Sequence, residues 1–184
     1  MKTLWSGMLV ALLGVGAWTG PAQAQSDDDR RPFELNVHAG TMALNLTDDH
    51  QIMAGGRASF TTASGWGVGG NYDWVNTDFA SVTFYSGEVN LTVDTDFPAD
   101  LVLSAGAGAV SVNPEEDPDD PDPQGSDSDF MVPLGMGLRY HDPESAASYV
   151  GYRFDIRDNI IFAGDDFDRD RHNWEFSAGV SLLF

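Results

Sequence analysis

Cysteine is absent from the 184 residues, which excludes disulfides, thiolate metal centres and a thiol nucleophile. Lysine is nearly absent too, since Lys2 is the single one. With nine Lys and Arg against 29 Asp and Glu, the formal net charge is −20. No basic face is available for phosphates, so no nucleic-acid partner is expected. Long hydrophobic runs are scarce as well. The longest, Met8 to Trp18, falls short of the roughly 20 residues a membrane-spanning helix requires. A chain with this composition that crosses a membrane must cross it as strands.

The apolar run has the flanks of an export signal. Lys2 supplies the positive start, and Ala22-Gln23-Ala24 supplies a small-x-small cleavage site. Residues 1–24 are therefore expected to be a signal peptide removed before Gln25. The remaining chain carries eight Arg, no Lys and 29 acidic residues, a formal charge of −21. Such a charge repels itself unless salt or cations screen it, and the Lys-free, Asp-rich composition predicts a salty working environment.

What the chain does have is alternation. From Trp174 to Phe184, one face carries Trp174, Phe176, Ala178, Val180, Leu182 and Phe184. The other carries Asn173, Glu175, Ser177, Gly179 and Ser181, with Leu183 as the exception. A period of two with one wholly apolar face suits a strand that has lipid on one side and a polar interior on the other. Seven further stretches read as strands: Phe33–Leu46, His50–Thr62, Gly65–Val75, Ser81–Asp94, Asp100–Val112, Phe130–His141 and Ala146–Ile156. In the first, the alternation slips near Met42, which predicts a bulge. The even-numbered connections are short (Ala63-Ser64, Thr95 to Ala99, Asp142 to Ser145), whereas Asn113 to Asp129 and Arg157 to Arg171 are long. The expected fold is all-β, an eight-stranded antiparallel transmembrane β-barrel with up-and-down meander topology. Residues 25–32 would be a mobile periplasmic lead-in and residues 33–184 the barrel domain. Aromatics near strand ends (Trp66, Trp74, Tyr140, Trp174, Phe184) are expected to form interfacial girdles. If the apolar face pointed inward instead, the chain would be a soluble lipocalin-like binder.

Three groups of residues could carry function. Arg57, Arg139 and Arg153 share the inward faces with Glu34, Asp73, Glu88, Asp155 and Glu175. Arg forks pair well with carboxylates, so these residues are expected to form a lumen ion-pair network that plugs the barrel; the alternative is a narrow channel for small ions or solutes. The Pro-punctuated loop bearing Glu115, Glu116, Asp117, Asp119, Asp120 and Asp122 is expected to be a solvated loop with weak affinity for divalent cations. The run Asp166-Phe167-Asp168-Arg169-Asp170 begins like an EF-hand loop, but Arg171 replaces the required Gly and Ser177 the bidentate Glu. Arg157, Arg169 and Arg171 are expected to pair with these acids or with lipopolysaccharide phosphates. The four histidines, His38, His50, His141 and His172, stand in no nucleophile–base arrangement, so neither catalysis nor a cofactor is expected.

The chain resembles the small bacterial outer-membrane β-barrel domain family, of the OmpA type. The resemblance is carried by Gly135-Met136-Gly137-Leu138-Arg139-Tyr140, by Tyr152-Arg153-Phe154-Asp155-Ile156-Arg157-Asp158, and by His172-Asn173-Trp174-Glu175 with the strand that follows. Ser177, Gly179, Leu182 and Phe184 resemble the C-terminal signal that the barrel-assembly machinery reads. The resemblance implies an integral outer-membrane protein, monomeric, in contact with membrane lipid and lipopolysaccharide, with both termini periplasmic. Members serve in anchoring, adhesion and small-solute passage, so the fold leaves the role open.

Overall fold

A computed structural model describes residues 31–44, 50–77, 80–95, 99–114, 127–141, 149–162 and 171–184. The expected signal peptide and most of the lead-in lie outside these residues. The strands are β1 (Phe33–Ala43), β2 (His50–Thr61), β3 (Trp66–Asn76), β4 (Ala80–Val93), β5 (Ala99–Pro114), β6 (Asp127–His141), β7 (Val150–Phe162) and β8 (Arg171–Leu183). Each pairs antiparallel with the next, and β8 pairs back onto β1, so the sheet closes as an eight-stranded meander barrel. No described helix is long and apolar enough to cross a membrane, which says nothing of strands.

Period-two alternation decides which side chains enter the barrel. Along β3, Gly67, Asn71, Asp73 and Val75 are buried while Trp66, Val68, Tyr72 and Trp74 are exposed on the outside. The β2–β3 turn shows how a short connection is made. Gly65 takes a left-handed φ of 85°, which a residue with a Cβ adopts only under strain, and Thr62 Oγ1 donates to the Trp66 carbonyl at 2.8 Å.

Three expectations are corrected. No bulge occurs at Met42, because the β1–β2 and β1–β8 registers run unbroken through it. Met42 is simply inward-facing, in a part of the interior that is apolar rather than polar. Strand β7 runs to Phe162, well past the expected end at Ile156, because Arg157, Asn159 and Ile161 continue the inward face and pair with both neighbours. The connection before β7 extends to Tyr149 rather than Ser145, so that even-numbered link is not short.

The barrel has two interiors in series. At the end bearing the termini it is filled mostly by polar and charged side chains, with Val102 and Leu183 among them. At the opposite end Met42, Leu44, Met53, Val75, Val82, Phe84, Val110, Met131 and Ile161 pack into a buried apolar cluster.

Candidate functional site

The polar interior is built in tiers, counted from the termini. In the first, Arg139 of β6 faces Asp100, its register partner on β5, with Nη2–Oδ2 at 2.8 Å, and reaches Glu34 of β1 at 3.4 Å. Glu34 Oε1 also accepts the Ser181 hydroxyl at 2.6 Å. In the second tier Arg153 of β7 forks onto Asp155 (Nε–Oδ2 2.9 Å, Nη2–Oδ1 3.0 Å) and reaches Glu34 at 3.2 Å. Arg57 of β2 crosses the interior to Asp155 at 3.1 Å. In the third tier Arg157 of β7 crosses to Glu88 of β4 (Nη1–Oε1 2.8 Å) and lies 3.9 Å from Glu175. Arg139–Glu34, Arg57–Asp155 and Arg157–Glu88 join strands on opposite walls, and the others link nearer strands or residues of one strand. The second and third tiers are almost fully desolvated: Arg153 and Arg157 are each 2% exposed and Glu175 is at 0%.

All eight sequence-predicted network residues therefore face the interior, but their partners are uneven. Among the described residues Asp73 meets no arginine at ion-pair distance. Its Oδ1 lies 2.6 Å from His38 Nε2 instead, and its other oxygen accepts the Asn71 amide. His38 and Asp73 meet because the register sets Gly55 of β2 between them, and any side chain there would overlap both. Sequence reasoning missed Asp100, His38 and Arg157 as network members. The expected strand end at Ile156 places Arg157 in the last outer loop, and Arg157-Asp158-Asn159 is polar throughout. The signal that could have found it was Ile160-Ile161-Phe162 immediately beyond, an apolar stretch that carries the strand on.

Of the residues resembling the insertion signal, Leu182 and Phe184 are exposed on the outer surface, while Ser177 faces inward and donates to Glu175 at 2.9 Å. Glu115, Glu116, Asp117, Asp119, Asp120 and Asp122, and the run Asp166 to Asp170, lie outside the described residues. His172 pairs with Asp158 at 2.7 Å on the outer surface near the loop end.

The exterior is the inverse of the interior. Its exposed side chains are Phe33, Leu35, Val37, Val68, Tyr72, Leu138, Phe154, Phe176 and Val180, with others of the same kind on every strand. Aromatics collect toward its two rims. Phe33 and Phe60 form a tilted pair (centroids 5.0 Å apart) at the rim that also carries Trp66, Tyr140 and Phe184, and Phe130 and Phe162 form another (5.8 Å) at the other rim, with Trp74 and Trp174.

No protein-family model and no curated protein matches the chain. Solved structures do. Neisserial surface protein A superposes with a TM-score of 0.61 at 14% identity, over 83% of this chain and 97% of that one. The fold is that of the small outer-membrane barrels. The N-terminal β-barrel domain of Pseudomonas aeruginosa OprF gives 0.58 at 14% identity, over 82% and 97%. A major outer membrane protein of Thermus thermophilus gives 0.50 at 11% identity, over 83% and 98%. At these identities the likeness concerns the fold and carries no ligand or partner across.

Proposed function

We propose that this chain is an integral protein of the bacterial outer membrane, with periplasmic termini and a sealed interior. Its role is non-catalytic, either in membrane structure or in surface contacts made by its acidic outer loops. The observation that carries this reading is the interior itself. Arginine–carboxylate bridges join opposite walls in successive tiers and an apolar cluster packs at the loop end, an interior among the described residues that supports a plug rather than a polar path. Eight strands leave an interior only wide enough for side chains in any case. The apolar exterior with aromatics toward both rims supports lipid as its surroundings. Membrane lipid and lipopolysaccharide are then the neighbours, and the barrel-assembly machinery the partner that reads the strand ending at Phe184. The loops between β5 and β6 and between β7 and β8 carry the acid that would meet cations or other surfaces.

The competing role is a narrow channel, and planar-bilayer recording separates the two. The sealed barrel inserts without conductance steps. Reproducible unitary steps that change when Arg157 is replaced would establish a channel and remove the plug.

A further inference from the structure

The charges inside the barrel do not cancel. Among the described residues the interior holds four arginines (Arg57, Arg139, Arg153, Arg157) against six carboxylates (Glu34, Asp73, Glu88, Asp100, Asp155, Glu175). Four of the carboxylates lie within 3.4 Å of an arginine nitrogen. The other two are Asp73, with no arginine at ion-pair distance, and Glu175, whose nearest is 3.9 Å away. These two stand together, and His38 stands with them. One ligand atom from each of His38, Asp73 and Glu175 can be chosen so that all three lie within 4.8 Å of one another, and all three residues are buried. Glu175 has only the long contact to Arg157 and Asp73 only the histidine, so these two buried carboxylates are the least compensated of the six.

A second observation, outside this cluster, points the same way. Ser181 has one hydroxyl proton and gives it to Glu34, a carboxylate already held by two arginines. Its oxygen must therefore accept from Asn36 Nδ2, at 3.0 Å. That orientation leaves Asn36 Oδ1 facing His38 Nδ1 at 2.9 Å, so Nδ1 carries the ring proton. The lone pair of a neutral His38 is then on Nε2, aimed at an Asp73 oxygen 2.6 Å away. Two acceptors that close need an electrophile between them: a proton at this separation, or a metal ion once the pair opens to the roughly 3.3 Å that two tetrahedral zinc ligands keep. Fixing a ligating histidine through its other nitrogen is also how metal sites orient imidazole. The carboxylates are held likewise, Glu175 by Ser177 and Asn159, and Asp73 by Asn71.

We propose that His38, Asp73 and Glu175 form a site for one divalent transition-metal ion inside the barrel, with zinc the ion its donors suit best. One imidazole nitrogen and two carboxylates match zinc coordination, with bonds of about 2.0–2.2 Å, whereas calcium takes 6–8 oxygens. A divalent ion also offsets the charge of these two weakly paired carboxylates. The ligands come from β1, β3 and β8, so the ion spans the β1–β8 seam that closes the barrel. Because the apolar cluster lies over this end, the ion enters as the barrel folds rather than afterwards. This inference rests on the interior alone and holds whichever role the loops serve.

The test is to fold the untagged chain in detergent with zinc or with EDTA, then wash it with excess calcium. Calcium displaces zinc held by the oxygen-only acidic loops. The metal retained is counted by mass spectrometry, and a heat-dependent gel shift reports folding. The site predicts about one zinc per chain, falling at least tenfold in His38→Gln. No retained zinc in the wild type would overturn the proposal and leave His38 and Asp73 sharing a proton. Equal zinc in the wild type and in a folded His38→Gln would overturn it as well. If His38→Gln does not fold, cobalt(II) loaded into the wild type decides. Four-coordinate visible bands support the site, and their absence refutes it.

Discussion

Arg153→Met removes the charged fork of the most heavily paired side chain among the described interior residues while keeping an unbranched apolar stem. Arg153 is 2% exposed and serves two carboxylates, Asp155 through a fork at 2.9 and 3.0 Å and Glu34 at 3.2 Å. Removing one partner of a buried pair costs about 3–5 kcal/mol, mostly because the other charge is left without compensation. Here both acids keep a second partner: Asp155 retains Arg57 at 3.1 Å, and Glu34 retains Arg139 at 3.4 Å and the Ser181 hydroxyl. The expected loss is therefore near the lower end, about 3 kcal/mol. Equilibrium unfolding in guanidinium, followed by tryptophan fluorescence of the detergent-folded barrel, reads it directly. Adding Glu34→Gln should return part of the loss, with a coupling of about 1–3 kcal/mol, because Arg139 keeps Asp100 at 2.8 Å. The control is the outer pair His172–Asp158, whose histidine is 53% exposed, so His172→Gln should cost less than about 1 kcal/mol. If Arg153→Met costs no more than His172→Gln, the interior bridges are not what holds the barrel and the tiered network is only a list of contacts.

Three further outcomes are expected. Phe84→Ala opens a cavity in the apolar cluster among Met42, Met53 and Val82 and should cost about 3–5 kcal/mol in the same unfolding assay, without creating conductance, since the charged tiers remain. Val37→Arg puts a charge on the outer face midway along β1, where the side chain is 74% exposed. In lipid vesicles it should cost about 2–4 kcal/mol, against a change within about 0.5 kcal/mol if that face met water. Deleting Phe184 should lower the amount of folded, heat-modifiable protein in the membrane fraction, measured by gel mobility after expression; unchanged assembly would remove the insertion role from this residue.

The barrel was legible because alternation is a local property. The faces of β3 and β8 could be assigned residue by residue, and the inward positions of Arg57, Arg139 and Arg153 followed from their neighbours. Pairing was not legible, because partners such as Arg57 and Asp155 lie 98 positions apart and meet only through strand register and tilt. The apolar end of the interior was hidden for another reason. Where Met42, Val75 and Phe84 point inward and the outer face is apolar too, both faces look alike and the period of two fades. That is why Met42 read as a bulge. Arg157 was lost to the converse ambiguity, a polar inward face that read as a loop. His38 and Asp73 were each visible, but only the absence of a side chain at Gly55 brings them together.

The central claim is that the apolar face points outward into lipid around a closed barrel. Gel mobility of the protein extracted from membranes, unboiled against boiled, with circular dichroism on the same sample, tests it most directly. A mobility shift, strand-rich dichroism and dependence on detergent are the predicted result. A protein that stays in solution without detergent and shows no shift would contradict it, and the assignment of inside and outside would have to be reversed.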